Sequence, residues 1–329
     1  VAVVSENDGL VSHKRAGKLA VLRDDVDAHP LASGGTGIAH TRWATHGAPT
    51  DANAHPHLAD GGKLALIHNG IIENFHELRE ELIASGEQFL SETDSEVAAI
   101  LLAHAFRETG DLTTAMQQVV KRLEGAFTLL VVHADKPGVV VGARRNSPLV
   151  IGVGEGENFL GSDVAAFVAF THKALSLGQD QIVTLTESAI DVITFEGEEV
   201  HPPEFTVDWD ASAADKGGWS SFMAKEISEE PEAVANTIRG RLSSEGQVVI
   251  PELEALDVGR IDRVIFIACG TAAYAAMLGA YAMEKWSGIP VTVELSHEFR
   301  YREPVVGPGT LVVSVSQSGE TMDTLMAVR

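Results

Sequence analysis

Two short stretches hold most of this chain's capacity for polar chemistry. Residues 37–47 read Gly-Ile-Ala-His-Thr-Arg-Trp-Ala-Thr-His-Gly, and residues 67–74 read Ile-His-Asn-Gly-Ile-Ile-Glu-Asn. Arg42 stands between Thr41 and Trp43 in a run that reads as a buried strand entering a polar pocket. A buried guanidinium needs an anionic partner. That partner is either a protein carboxylate, giving a structural salt bridge, or the anionic end of a ligand. Asp94, within Ser91-Glu92-Thr93-Asp94-Ser95-Glu96, precedes a helix-like stretch and serves as its N-cap or as a binding carboxylate. An arginine and an aspartate in one pocket could grip the carboxylate and ammonium of an amino acid. Asn69-Gly70 has the composition of a hairpin turn, yet apolar residues flank it on both sides. An Asn amide beside a Gly N–H is also what an oxyanion hole requires.

A third patch lies near the end of the chain. In residues 315–321, Val-Ser-Gln-Ser-Gly-Glu-Thr, three hydroxyls and an amide follow an apolar strand at the place where a helix begins. Free N–H groups and the helix dipole favour an anion there. One hydroxyl suffices for a cap, so Ser316, Gln317, Ser318 and Thr321 together favour phosphate, although the pattern is neither a Walker loop nor a dinucleotide fingerprint. Cys269-Gly270-Thr271 closes another apolar strand in the same way, and two such strand ends side by side would cradle a sugar phosphate. Cys269 has no histidine near it in sequence and reads as a small buried residue.

Five histidines, His40, His46, His55, His57 and His68, raise a metal hypothesis. None of the usual zinc spacings is present and no cysteine accompanies them, so hydrogen-bonded strand and loop histidines are the better reading and no metal is expected. The glycine-rich runs 33–37 and 152–156 lack a following helix or a third spaced glycine and read as turns.

The elements that must hold these residues are short β-rich runs at 64–67, 127–132, 139–143, 149–153 and 181–185. Helical periodicity interrupts them at 74–85 and 93–106, which points to an α+β layered domain. Residues 202–225 form a polar connector, followed by an amphipathic helix at 230–242 with Pro231 in its first turn. Strands at 263–268, 291–295 and 311–315 alternate with a helix at 272–286, the opening of a parallel α/β sheet.

Composition narrows the partners. With 329 residues, 45% hydrophobic and 22% charged, the chain suits two globular domains. Forty-seven acidic against 24 basic residues leave a formal charge of −23, which repels phosphate backbones and anionic lipid heads. Nucleic acid and membrane are therefore excluded as expected partners. One cysteine, no apolar run of spanning length and no basic-then-apolar leader give the cytoplasm as the expected compartment.

Together these residues resemble the family of isomerizing glutamine:fructose-6-phosphate amidotransferases, the glucosamine-6-phosphate synthases. The segments 40–47, 53–57, 68–74, 91–96, 123–126, 225–227, 269–271 and 316–321 stand in the family's order across practically the whole chain. The resemblance implies a class II glutaminase of the N-terminal-nucleophile hydrolase type, an α+β sandwich over residues 1–205. A linker and connecting helix would occupy 206–245, and an incomplete α/β SIS (sugar isomerase) domain with a parallel sheet would occupy 246–329. By resemblance, Arg42 and Asp94 bind the carboxylate and amino group of L-glutamine, with Trp43, Thr45 and His46 lining that pocket. Asn69 and Gly70 form the oxyanion hole. Thr271, Ser316, Gln317, Ser318 and Thr321 hold the phosphate of fructose 6-phosphate. No cofactor is implied, and a homodimer through SIS domains is.

Three departures stand out. Residue 1 is Val and the one cysteine lies in the second domain, so the family's N-terminal nucleophile is absent. The second SIS domain and the tail that completes the isomerase site are absent too, and Ala272 replaces the family's usual serine. The expectation is a piece cut at both ends and inactive by itself, from an enzyme of amino-sugar synthesis. The alternatives are a non-catalytic SIS-type sugar-phosphate sensor, or another class II amidotransferase with a different acceptor.

Overall fold

The computed structural model describes residues 1–5, 7–31, 33–42, 44, 46–207, 218–243, 245–253, 256–317, 319 and 321–329. Trp43, Thr45 and Ser318 lie outside the described residues. The chain divides into two compact units, Val1–Ala213 and Ala214–Arg329.

In the first unit, strands β1 (Ala2–Ser5) and β2 (Gly9–Ser12), helix α1 (Leu19–Ala28) and strand β3 (Thr36–Ile38) come first, with β1 paired between β2 and β3. Strands β4 (His57–Ala59) and β5 (Leu64–Ile72) follow. Next come helices α2 (Phe75–Ala84), α3 (Asp94–Thr109) and α4 (Leu112–Val120), then strands β6 (Gly125–His133) and β7 (Val140–Arg145). The last strands are β8 (Val150–Val153), β9 (Asn158–Gly161), β10 (Lys173–Ser176), β11 (Gln181–Leu185), β12 (Ile190–Thr194) and β13 (Glu204–Thr206). A six-stranded antiparallel sheet, ordered β12-β11-β7-β6-β5-β4, is the largest layer. A second antiparallel sheet is ordered β13-β10-β8-β9.

Strand β5 explains why this unit is layered. Its side chains alternate between two faces. Leu64 and Leu66 join the core made with Val97, Leu101 and Leu102 of α3 and Met116 of α4, while Ala65 and Ile67 join Ala2, Val4 and Ile38 of the first small sheet. The large sheet is thus buried on both sides, helices on one and strands on the other, which is the α+β sandwich expected. A strand covered on both faces reads as continuously apolar, as Leu64-Ala65-Leu66-Ile67 does.

Several boundaries differ from the sequence reading. The strand expected at 64–67 runs on to Ile72, so Asn69-Gly70 lies inside a paired strand opposite Thr128 and Phe127 and is no hairpin turn. The run at 37–47 has strand structure only to Ile38, and β3 pairs with β1. α1 and α4 lie outside the expected helices, although Leu112, Ala115, Met116, Val119 and Val120 of α4 recur at helical spacing.

In the second unit, helix α5 (Phe222–Ile238) precedes strand β14 (Arg263–Ala268), helix α6 (Gly270–Ser287), strand β15 (Val291–Leu295), helix α7 (Ser296–Tyr301), strand β16 (Thr310–Val315) and helix α8 (Met322–Val328). The sheet is parallel with β14 central between β15 and β16. α5 starts at Phe222 because Ser221 caps it, its side chain accepting from the Ala224 N–H at 3.2 Å. Pro231 therefore sits inside the helix and not in its first turn, a correction to the expected start at residue 230. No helix among the described residues is long and apolar enough to cross a membrane.

Leu102 is fully buried where α3 meets the large sheet. Leu102→Ala is expected to lower the stability of the first unit by about 2–5 kcal/mol, because the rigid sheet cannot close over the cavity. Urea denaturation of the variant beside the parent measures this, and a loss below about 1 kcal/mol would mean that α3 is not pinned there.

Candidate active site

The polar centre of the first unit forms where α3 starts against β5. Thr93, not Asp94, is the N-cap: its Oγ1 accepts from the Glu96 N–H at 3.3 Å. Glu96 reaches back from the first turn to accept from the N–H groups of Leu90 and Ser91, at 2.8 and 2.7 Å, and from the Ser91 hydroxyl at 2.6 Å. With the cap role taken, Asp94 is free to point at the strand. Its Oδ2 accepts from the Ile72 N–H of β5 at 2.9 Å, and the residue is 2% exposed. Two imidazoles flank the carboxylate, with His46 Nδ1 3.8 Å from Oδ1 and His68 Nδ1 3.8 Å from Oδ2.

Gly70 has φ +114°, and a Cβ built there would lie 2.0 Å from the Ala126 carbonyl oxygen across the sheet. Only glycine fits this crossing. The preceding Asn69 is held by its side chain, Oδ1 lying 2.6 Å from His40 Nε2. Among the described residues Asn69 Nδ2 has no hydrogen-bond partner.

Three of the histidines are joined through Ser95. His40 Nδ1 meets His55 Nδ1 at 2.9 Å, His55 Nε2 meets Ser95 Oγ at 3.0 Å, and the same hydroxyl meets His68 Nδ1 at 2.9 Å. His57 Nε2 meets Thr93 Oγ1 at 3.1 Å. Burial is the largest influence on all four rings and lowers the pKa of each. His57 is brought to about 3 and His68 to about 4, against a weaker upward pull from Asp94 on His68, while His40 and His55 are lowered in the same direction. The four are neutral at neutral pH. Ser95 was not singled out in the sequence, although its place beside Asp94 in the polar run before a helix was the available signal.

Arg42 finds no carboxylate among the described residues. Its guanidinium instead donates to the carbonyl oxygens of His46, Gly47 and Ala48, the last two at 3.2 Å, closing the loop that follows it. The structural salt bridge raised from the sequence is therefore absent among the described residues. Arg42 and Asp94 are linked through His46, whose backbone accepts from one and whose ring faces the other. Asn69 and His68 line a cavity of about 420 Å³, while Arg42 and His55 line a neighbouring one of about 310 Å³. His40 and Thr41 line both; Asp94 lines neither.

In the second unit, the register places Ala268 beside Val315, so the segments after β14 and β16 leave the sheet as neighbours. Thr271 is exposed in the first turn of α6. Ser316 Oγ accepts from the Gly319 N–H at 3.0 Å and lies 3.3 Å from Thr321 Oγ1, while Gln317 is exposed. Sequence distance hid one neighbour: α7 brings His297 Nδ1 to 3.9 Å from Cys269 Sγ. Asp323 joins them, with one potential ligand atom from each residue inside a 4.8 Å group, though its carboxylate also lies 3.7 Å from Arg300 Nη1.

Residues 13–200 match the family model described as a glutamine amidotransferase domain, and residues 260–329 match the SIS domain. The chain belongs to the glutamine amidotransferase domain family. Its similar relatives are named glutamine–fructose-6-phosphate aminotransferase (isomerizing). The protein of that name from Leifsonia xyli subsp. xyli is 65% identical across 100% of this chain and 54% of its own length. Those from Corynebacterium diphtheriae and Streptomyces coelicolor are 57% and 56% identical across 100% of this chain and 53% and 54% of their own lengths. The chain thus spans about half the length of the relatives it matches.

Buried neutral histidines make this family member's first unit acid-sensitive. The unfolded chain takes up protons from about pH 6.5 downward while the folded His68 does so only near pH 4, so stability is full above pH 6.5 and declines as pH falls toward 4. At pH 5 the loss from His68 alone is expected to be about 2 kcal/mol. Urea denaturation at pH 7.5 and 5.0 measures it. His68→Gln, with no imidazole to protonate on unfolding, should lose less across that interval, and equal losses would remove His68 from the account.

Proposed function

We propose that the protein carrying this chain takes ammonia from L-glutamine and delivers it to fructose 6-phosphate, giving glucosamine 6-phosphate and glutamate. The reading rests on the relatives' names and on one juxtaposition: a buried carboxylate, Asp94, anchored to the strand that carries Asn69 and Gly70. Asp94 would take the α-ammonium of glutamine and Arg42 its carboxylate, with Trp43, Thr45 and His46 around them. Both ends of an amino acid would then be held by charge-assisted hydrogen bonds. The carboxamide would lie toward β5.

Attack on that carboxamide by a cysteine thiolate, the family's nucleophile by resemblance, turns its oxygen into an oxyanion. The Asn69 side-chain N–H and the Gly70 backbone N–H are the donors assigned to it. Such donors act on the transition state because they are already oriented when charge develops. In the second unit, Thr271, Ser316, Gln317, Ser318 and Thr321 are assigned to the sugar phosphate at the strand ends.

The proposed division is 1–205 for the glutaminase, 206–245 for the linker and connecting helix, and 246–329 for the SIS domain. Tyr274, Leu278 and Tyr281 recur on one exposed stripe of α6, which supports a homodimer through the SIS domains. The acidic charge and single cysteine support the cytoplasm as compartment.

The test is glucosamine 6-phosphate formation by the full-length protein. Arg42→Ala should lower kcat/KM for glutamine at least about 30-fold, as expected for a lost buried charge contact of about 2 kcal/mol, and leave the KM for fructose 6-phosphate within about threefold. An unchanged glutamine kcat/KM would remove Arg42 from the pocket. Ser316→Ala with Thr321→Ala should do the reverse, raising the KM for fructose 6-phosphate about tenfold or more while the KM for glutamine holds. A product other than the amino sugar would assign a different acceptor.

A further inference from the structure

An amide side chain can face a pocket in two ways, and only one makes an oxyanion donor. If Asn69 Oδ1 faces His40, its NH2 group is left for the cavity. If the amide is reversed, an oxygen faces the cavity and repels a developing negative charge. What selects between them is a chain of hydrogen bonds that ends about as far from Asn69 as the start of α3.

Neutral imidazole has one donor and one acceptor nitrogen, so a run of such rings has a direction. Each link fixes the next. With a proton on His68 Nδ1, that group donates to Ser95 Oγ at 2.9 Å, and the Ser95 hydroxyl donates to His55 Nε2 at 3.0 Å in preference to Asp94 Oδ1, which lies farther off at 3.5 Å. His55 then carries its proton on Nδ1 and donates to His40 Nδ1, and His40 carries its proton on Nε2 and donates to Asn69 Oδ1. Every nitrogen between the ends is satisfied, and the atom left over is the unprotonated His68 Nε2. That atom is buried and has no partner among the described residues. The opposite direction also satisfies the interior links. It leaves a buried N–H donor on His68 Nε2 with no acceptor, a costly arrangement, and it turns the Asn69 oxygen outward.

The carboxylate of Asp94 breaks the tie. Its Oδ2 lies 3.8 Å from His68 Nδ1, and both groups are buried, so it favours the proton on Nδ1 and hence the first direction. The burial that keeps all three histidines neutral keeps the chain intact, since a doubly protonated ring would have no acceptor to offer.

We propose that His68, Ser95, His55 and His40 form a directional hydrogen-bond relay by which Asp94 holds the Asn69 amide with its N–H groups toward the cavity. Resting on the oxyanion role assigned to Asn69 above, this gives Asp94 a second task besides holding substrate, and makes His40 a positioning residue that acts through Asn69. The relay moves no proton in the reaction. It sets orientation before glutamine arrives.

Two substitutions at His40 separate this from a general packing role, because each keeps a polar side chain in the same hole. Gln can place an amide N–H near the position of Nε2; Asn reaches only as far as Nδ1. In the full-length protein, with glutamate release from glutamine as the assay, His40→Asn is expected to lower kcat about 100-fold, the scale of losing one oriented oxyanion donor, with glutamine KM within about threefold. His40→Gln should recover at least tenfold of that loss. Asn69→Ala should match His40→Asn, and the double variant should be no more than about threefold slower than Asn69→Ala alone, since the second change has nothing left to orient. Equal rates for His40→Gln and His40→Asn would overturn the relay, as would multiplied losses in the double variant. Normal turnover by His40→Asn with loss in Asn69→Ala would overturn it too, while sparing the oxyanion hole. Normal turnover by Asn69→Ala would remove the oxyanion assignment itself.

Discussion

One buried carboxylate organises the first unit. Asp94 begins α3, is almost wholly removed from water, and spends a short hydrogen bond on the backbone of β5 instead of capping its own helix. A buried carboxylate is tolerated only where donors and compensating fields surround it. Here those are the Ile72 N–H, the dipole at the start of a sixteen-residue helix and two imidazole rings. Thr93 and Glu96 make this possible by satisfying the free N–H groups of the helix start and of the segment before it. Without that local division of labour, Asp94 would be consumed as a cap and the strand would lose its polar anchor.

The surrounding fold serves to keep this junction dry and fixed. Leu64 and Leu66 of β5 face α3 and α4, while Ala65 and Ile67 face the small sheet of β1 and β3. With both faces covered, β5 cannot slip by one residue without turning its whole apolar set the wrong way. Asn69 and Gly70 inherit that register. Rigid placement of this kind is what an electrostatic catalyst requires, because donors that had to reorient during reaction would give back much of their effect. The second unit applies the same economy differently, by ending two neighbouring parallel strands in hydroxyl-bearing turns.

Much of this was legible in the residues. The apolar run at 64–67, the helix beginning after Thr93 and the strands at 181–185 and 291–295 follow directly from period and propensity, and the parallel second unit from its rhythm of strand and helix. Glycine was the harder letter. Asn69-Gly70 looks like a turn because sequence gives no hint that a positive φ can be needed inside a paired strand. Arg42 by its type calls for an anionic partner, a protein carboxylate or a ligand's; no protein carboxylate meets it among the described residues, and three carbonyl oxygens in the loop just after it accept from the guanidinium. Pro231 suits a first turn by type, which puts the expected start of α5 too late; Ser221 does the capping. The histidines' connection through Ser95 depends on contacts 27 and 40 residues apart in sequence, which no local pattern records.

Gly125 on β6 mirrors Gly70 on β5. It too has a positive φ, and a Cβ there would meet the Ile71 carbonyl oxygen at 2.4 Å, as one at Gly70 would meet that of Ala126. In both cases the obstacle is main chain, which no codon change can trim. A larger residue at either position therefore has no suppressor available across the sheet, and drift at this crossing is blocked from both directions at once. Among the neighbouring positions, where the obstacles are side chains, compensated variation remains open; at these two the geometry of the backbone itself closes the search.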